Sequence, residues 1–294
     1  MRVDRQGCRW LKRAIIGAQR PLRRHCRRSL PPQLASLVMS LAQRPLHRQS
    51  RMEPPPGASA SRASEWFVPS FGHERFRSFI GLLFLPYTGM VLAFLAIGAA
   101  LAPRILWGRL LAIEVIYFLA LGVGAHALDA LGSSEARPWG KAFTRGQLRV
   151  VAFSSIGAAY AIAVYYMLRY VPLLWPMALC EGFFVFAYNL EWFHGRFHSD
   201  SWFAFSWGFL PTLAGYIIET NAVSVGALVC ACATALFSIV EIRASRPYKT
   251  LKKLGAGLTE EQAHLMIRYE SILKGISLGT VLMAAGLLVG RAAG

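Results

Sequence analysis

Residues 222–242 read AVSVGALVCACATALFSIVEI, a run whose one charged side chain, Glu241, stands next to its end. At about 1.5 Å of rise per residue, a run of this length covers the ~30 Å hydrocarbon layer of a bilayer as one helix. Its apolar residues surround the helix on all sides instead of lying on one stripe, as a buried or membrane helix requires. Similar runs follow one another at 79–101, 105–127, 149–170, 172–191, 202–219 and 271–290. They predict an all-α, polytopic transmembrane bundle of about seven spans, occupying residues 75–294. With 55% hydrophobic and only 16% charged residues, the chain cannot clothe an ordinary soluble domain in charge.

Charge outside the runs predicts orientation. After Glu241 come Arg243, Arg246, Lys249, Lys252 and Lys253, while the loop at 128–148 holds Arg137, Lys141 and Arg145 and the loop at 192–201 holds Arg196. The opposite loops carry Arg104, Arg109 and Arg169. Together with Arg75 and Arg77 ahead of the first run, this bias places the N-terminus and the ends of the even-numbered helices in the cytoplasm. The expected location is a multi-pass protein of a bacterial inner membrane.

Residues 1–74 read differently. Residues 1–75 hold 15 Lys/Arg against 4 Asp/Glu, and no acidic residue stands between Arg5 and Met52. Three readings stay open: an organelle transit leader, which would move the protein to an organelle membrane; a basic arm for anionic lipid; or an over-extended N-terminus, with initiation at Met39 or Met52. A basic, disordered leader is the expectation. No aromatic interleaving or groove-reading helix supports nucleic-acid binding. Five cysteines without CxxC spacing speak against a disulfide framework or a zinc module.

The remaining polar chemistry gathers at the ends of even-numbered helices. His126-x-x-Asp129, with Glu135 beyond it, ends the second run; three apart on a helix, the pair shares a face. Tyr188–Asp200, YNLEWFHGRFHSD, follows the fourth run and carries Glu191, His194, His198 and Asp200. If helical, Glu191, His194 and His198 fall within one arc, with Glu-x-x-His a known carboxylate–metal spacing; Gly195 permits a break. Glu241 ends the sixth run. His126, Asp129, Glu191, His194, His198, Asp200 and Glu241 are therefore the candidate metal ligands, and Asp129, His126, Glu191 and His194 the candidate catalytic residues. Arg137, Lys141, Arg196, Arg246 and Lys249 are the candidate anion-binding residues, suited to a diphosphate through charge-assisted bonds. Nearer mid-span, Glu114 and Glu181 are costly unless they face a protein cavity or a partner, for which Lys274 is a candidate. The expected arrangement is a cytoplasm-facing cavity among helices two, four and six.

This arrangement resembles the UbiA superfamily of intramembrane prenyltransferases, all-helical bundles of usually nine spans. In that family an Asp-rich NDxxDxxxD motif follows the second helix and a DxxxD motif the sixth. Here AHALDALGSSEARPWGKAFTRGQL stands in the first place, with His126 and Asp129 at two aspartate positions, Ala125 for the asparagine, Ser133 for the last aspartate, and a similar Arg137-Pro138 after it. Glu241 and Ser245 stand near the second motif, followed by KTLKKLG (249–255), and Tyr188 and WGFLPTLAGY (207–216) are similar to the central helices. The resemblance implies a prenyltransferase in which metal-bound carboxylates grip an isoprenoid diphosphate. Mg²⁺ is the implied ion, and the histidines shift the site toward Fe, Mn or Zn. Two other readings stand beside it: a His/carboxylate metal enzyme modifying a membrane lipid, and a lipid-binding protein without catalysis. No internal repeat suggests a transporter, and no phosphate loop or nucleophile elbow is present.

Overall fold

The computed structural model describes residues 65–132 and 142–293. Within them the secondary structure is helical and there is no strand. In chain order the helices are α1 (Glu74–Leu83), α2 (Leu85–Ala100), α3 (Trp107–Gly132), α4 (Arg145–Arg169), α5 (Leu174–Asn189), α6 (200–220), α7 (Val225–Leu254) and α8 (Glu260–Ala293). Most of the leader expected at 1–74 lies outside the described residues, as do Arg137 and Lys141.

All seven apolar runs become helical, but four helices, α3, α4, α7 with its 3₁₀ extension to Gly257, and α8, are long and apolar enough to cross a membrane. The expectation of about seven crossings therefore rests on three segments that fall short. α1 and α2 together pass only as a pair bent by 44°. α5 has 16 residues, about 24 Å of helix, because it stops at Asn189 instead of continuing through Glu191. α6 falls short as well.

α2 is the central element, with Met90, Phe94 and Leu95 fully buried, and packs against α6 and α8. The approach to α6 is close because two glycines face backbone: a Cβ on Gly98 would collide with the Thr212 carbonyl, and one on Gly215 with that of Leu95. Small residues let membrane helices touch through their backbones in this way. At the same contact, Thr212 and Thr234 exchange a buried hydrogen bond of 2.7 Å between α6 and α7.

Two helices change pitch. α3 is π-helical over Phe118–Ala125 and α6 over Phe205–Phe209. A π-turn rotates every following side chain relative to an ideal helix and is frequent at functional sites. Here each wide turn immediately adjoins or contains a residue that meets the other: His126 follows the first, Trp207 sits within the second, and their rings lie 5.3 Å apart.

The last residues before α1 pack on the bundle. Glu65 accepts hydrogen bonds from Tyr248 Oη (3.0 Å) and Lys252 Nζ (2.8 Å) of α7, and the Trp66 ring lies 5.3 Å below Lys274 Nζ of α8. Lys274 also pairs with Glu270 at 2.6 Å, one turn earlier on its own helix. The expectation that it neutralises Glu114 or Glu181 is thus replaced by a local pair.

Candidate functional site

A cavity of about 160 Å³ opens between the ends of α3, α5 and α7, with the α1–α2 bend and α6 closing its other sides. Its polar lining comes from His126 and Asp129 of α3, Asn189 at the end of α5, His198 of the segment after it, and Arg246 and Lys249 of α7. Its apolar wall is Phe84, Tyr87, Tyr188, Phe203 and Trp207. The volume suits a small polar headgroup or a few waters, at roughly 30 Å³ per water.

Each polar group is set by its neighbours. Lys249 Nζ stands 4.6 Å from the Phe84 ring centroid and 5.4 Å from that of Tyr87, over two aromatic faces that attract a cation. His126 is buried, with Phe84 at 5.9 Å and Trp207 at 5.3 Å. Phe203 and Trp207, one turn apart on α6, stack at 5.5 Å and continue the wall toward Tyr87. Arg246 stands at the mouth, its Nη2 3.1 Å from Asp200 Oδ1. Arg243 approaches the same aspartate at 3.5 Å.

The segment after α5 departs from the helical expectation. Glu191, Phe193 and His194 adopt left-handed backbone (φ 52°, 56° and 59°), followed by Gly195 at 74°. Trp192 N–H donates to the Ala187 carbonyl and Gly195 N–H to that of Glu191, so the chain coils back on the helix end. The turn carries Glu191, His194 and Arg196 outward, where all three are exposed. The same turn brings His198 back onto Tyr188, with rings stacked at 4.4 Å and Nδ1 3.1 Å from the Tyr188 carbonyl oxygen. The Glu191-x-x-His194 spacing is therefore not a helical ligand pair, because the helix ends before it begins.

The other expected residues fall into place separately. Glu241 is buried in α7 but does not line the cavity, and Asp200 is engaged by Arg243 and Arg246. Among the described residues, no three His, Cys, Asp or Glu side chains gather closely enough to hold a metal ion. The arrangement does not fit the expected resident Mg²⁺ or transition-metal site. It offers two cations, two imidazoles and one carboxylate against an aromatic wall.

The aromatic wall is what the sequence reading missed. Phe203 and Trp207, four apart on one helix, are the signal that was available; Phe84 and Tyr87 give none, because only the α1–α2 bend turns them inward. Compared with known proteins, the chain matches no family model, no curated protein and no solved structure.

Proposed function

We propose that this chain is an integral-membrane transferase of the UbiA-like kind, taking an isoprenoid-diphosphate-type lipid with its charged head in the α3–α5–α7 cavity. The observation that carries the reading is the meeting of Arg246 and Lys249 with an aromatic wall in one concavity. A passive bundle has no need to aim two cations at a hollow. A diphosphate head needs them, both for binding and to hold the leaving group. Mg²⁺ enters only with the diphosphate, as part of the substrate.

In this reading the allylic C–O bond breaks and its electron pair leaves on the diphosphate, whose charge Arg246 and Lys249 offset. Trp207 offers the negative side of its quadrupole to the resulting carbocation, and Phe84 and Tyr87, whose faces hold Lys249, keep water from it. The acceptor's nucleophilic atom forms the new bond, and its proton passes to His126 or Asp129. The apolar helix faces sheath the tail, and the cavity faces the cytoplasm by the loop-charge bias.

The test uses the full chain in lipid nanodiscs with labelled farnesyl or geranylgeranyl diphosphate and Mg²⁺. Saturable binding and diphosphate release are expected, with the affinity falling more than about tenfold in the Arg246→Ala/Lys249→Ala double variant. Binding without release assigns a lipid-binding protein that lacks catalysis. Affinity equal in the wild type and the folded double variant overturns the assignment of the cavity.

A further inference from the structure

A second cavity, of about 60 Å³, lies deeper along α3 and α5 and shares no lining residue with the first. Ile116, Leu121, Ala159, Ala163 and Met177 make it almost wholly apolar, and small side chains on three helices leave the space open. One acidic residue, Glu181 of α5, lines it. Glu181 Oε1 accepts a hydrogen bond of 2.9 Å from the Tyr117 hydroxyl, whereas its other oxygen, Oε2, is buried with no hydrogen-bond partner among the described residues. The remaining hydroxyl on the lining, that of Tyr160, is used elsewhere: it donates to the Ala178 carbonyl at 2.7 Å.

A buried carboxylate oxygen without a partner costs about 1–3 kcal/mol or more, and an apolar wall cannot repay it. A bound molecule can, if it is apolar enough to fill the cavity and brings one O–H group to Oε2. α4 and α5, which flank the cavity, meet at few points, one of them the Tyr160–Ala178 hydrogen bond. Glu181 and Tyr188 are seven residues apart on α5, about 10 Å along the axis, so the two cavities are stacked and not merged.

We propose that this cavity is a binding site for the head of a lipid alcohol, its hydroxyl hydrogen-bonded to Glu181 Oε2, its first methylenes against the alanine and methionine side chains and the rest of its chain outside the cavity. The site is independent of what the polar cavity binds. An ordinary acyl chain is the competing occupant, and it would leave Oε2 as it is.

The test is photolabelling of the full chain in phosphatidylcholine nanodiscs with a diazirine-bearing dodecanol and with the matching diazirine-bearing dodecane, at equal mole fraction. The alcohol is expected to label the stretches 156–167 and 174–185 about tenfold more than the alkane, and excess plain dodecanol is expected to displace it. Glu181→Leu is expected to remove that preference, and Glu181→Gln, whose oxygen can keep the Tyr117 bond while its NH₂ donates to the alcohol oxygen, to retain part of it. Equal labelling by alcohol and alkane in the wild-type protein assigns the cavity to bulk acyl chains and overturns the proposal without recourse to any variant. A preference that survives Glu181→Leu in folded protein overturns it as well. Neither result bears on diphosphate binding above, which is read with a different ligand and different variants.

Discussion

Lys249 Nζ sits 4.6 Å from the ring centroid of Phe84, and Phe84 is the residue at which the chain bends between α1 and α2. Its backbone is left-handed, φ 44°, a conformation that costs a bulky residue free energy and persists only where the surroundings hold it. Here the surroundings are the Phe67, Tyr87 and His126 rings, at 5.3, 4.4 and 5.9 Å. The bend and the cation site are thus one packing unit.

Substitutions at Phe84 separate the two contributions. Phe84→Leu keeps most of the volume and gives up the cation–π contact, a loss of about 0.5–2 kcal/mol. Phe84→Ala also removes the ring contacts, and a loss of about 3 kcal/mol is expected. Thermal unfolding of the detergent-solubilised protein should rank wild type above Phe84→Leu and Phe84→Ala lowest.

Arg246 pairs with Asp200 while it lines the cavity, a double duty that suits a planar fork of donors. Arg246→Lys keeps the charge and cannot serve both. Its affinity for prenyl diphosphate is expected to fall about three- to tenfold, between wild type and Arg246→Ala, in a filter-binding or nanodisc titration.

Glu191 and His194 lie exposed on the turn after α5, away from the cavity that His126 and Asp129 line. Glu191→Ala and His194→Ala are expected to bind prenyl diphosphate within about twofold of wild type, since exposed positions seldom matter at a distance. His126→Ala and Asp129→Asn are expected to impair diphosphate release. The reverse ranking would return the site to the Glu-x-x-His spacing.

The contact between α2 and α6 leaves no room for a side chain at Gly98 or Gly215. Either one changed to Ala is expected to lose more than about 3 kcal/mol or to fail to fold, because helix backbones, not flexible tips, would have to move. Gly279→Ala and Gly286→Ala on α8, where an added methyl meets nothing, are expected to express as well as wild type. Fluorescence size-exclusion profiles of the four variants give the comparison.

Glu65 ties the chain ahead of α1 to α7 through Lys252 and Tyr248, in a site where the Glu65 side chain is 10% exposed. Removing it takes the carboxylate away from the half-buried Lys252 ammonium, a loss of about 1–3 kcal/mol. Glu65→Ala is expected to speed proteolytic cleavage in the stretch 65–73 several-fold without altering cleavage elsewhere.

Much of this was legible in the sequence, for identifiable reasons. The apolar runs announce their helices because hydrophobicity is a property of each residue and survives any packing. The gathering of His126, Asp129, His198, Arg246 and Lys249 was legible from the loop pattern, since apolar runs that alternate in direction bring the ends of the second, fourth and sixth, here α3, α5 and α7, to one side. The fate of Glu191 and His194 was not: α5 coils back with Trp192 N–H reaching the Ala187 carbonyl, and the left-handed backbone at Glu191, Phe193 and His194 is held by its surroundings and leaves no mark on composition.

The sequence by itself determined an apolar helical chain with a basic N-terminal region and polar residues concentrated at particular helix ends. Only the tertiary structure decided that Phe84, Tyr87 and Trp207 face those residues and that Glu181 looks into an apolar hollow. The reason is physical: those outcomes depend on a 44° bend, two stretches of π-helix and the backbone contact at Gly98 and Gly215. Each turns a helix face by an amount fixed by neighbours far away in the chain.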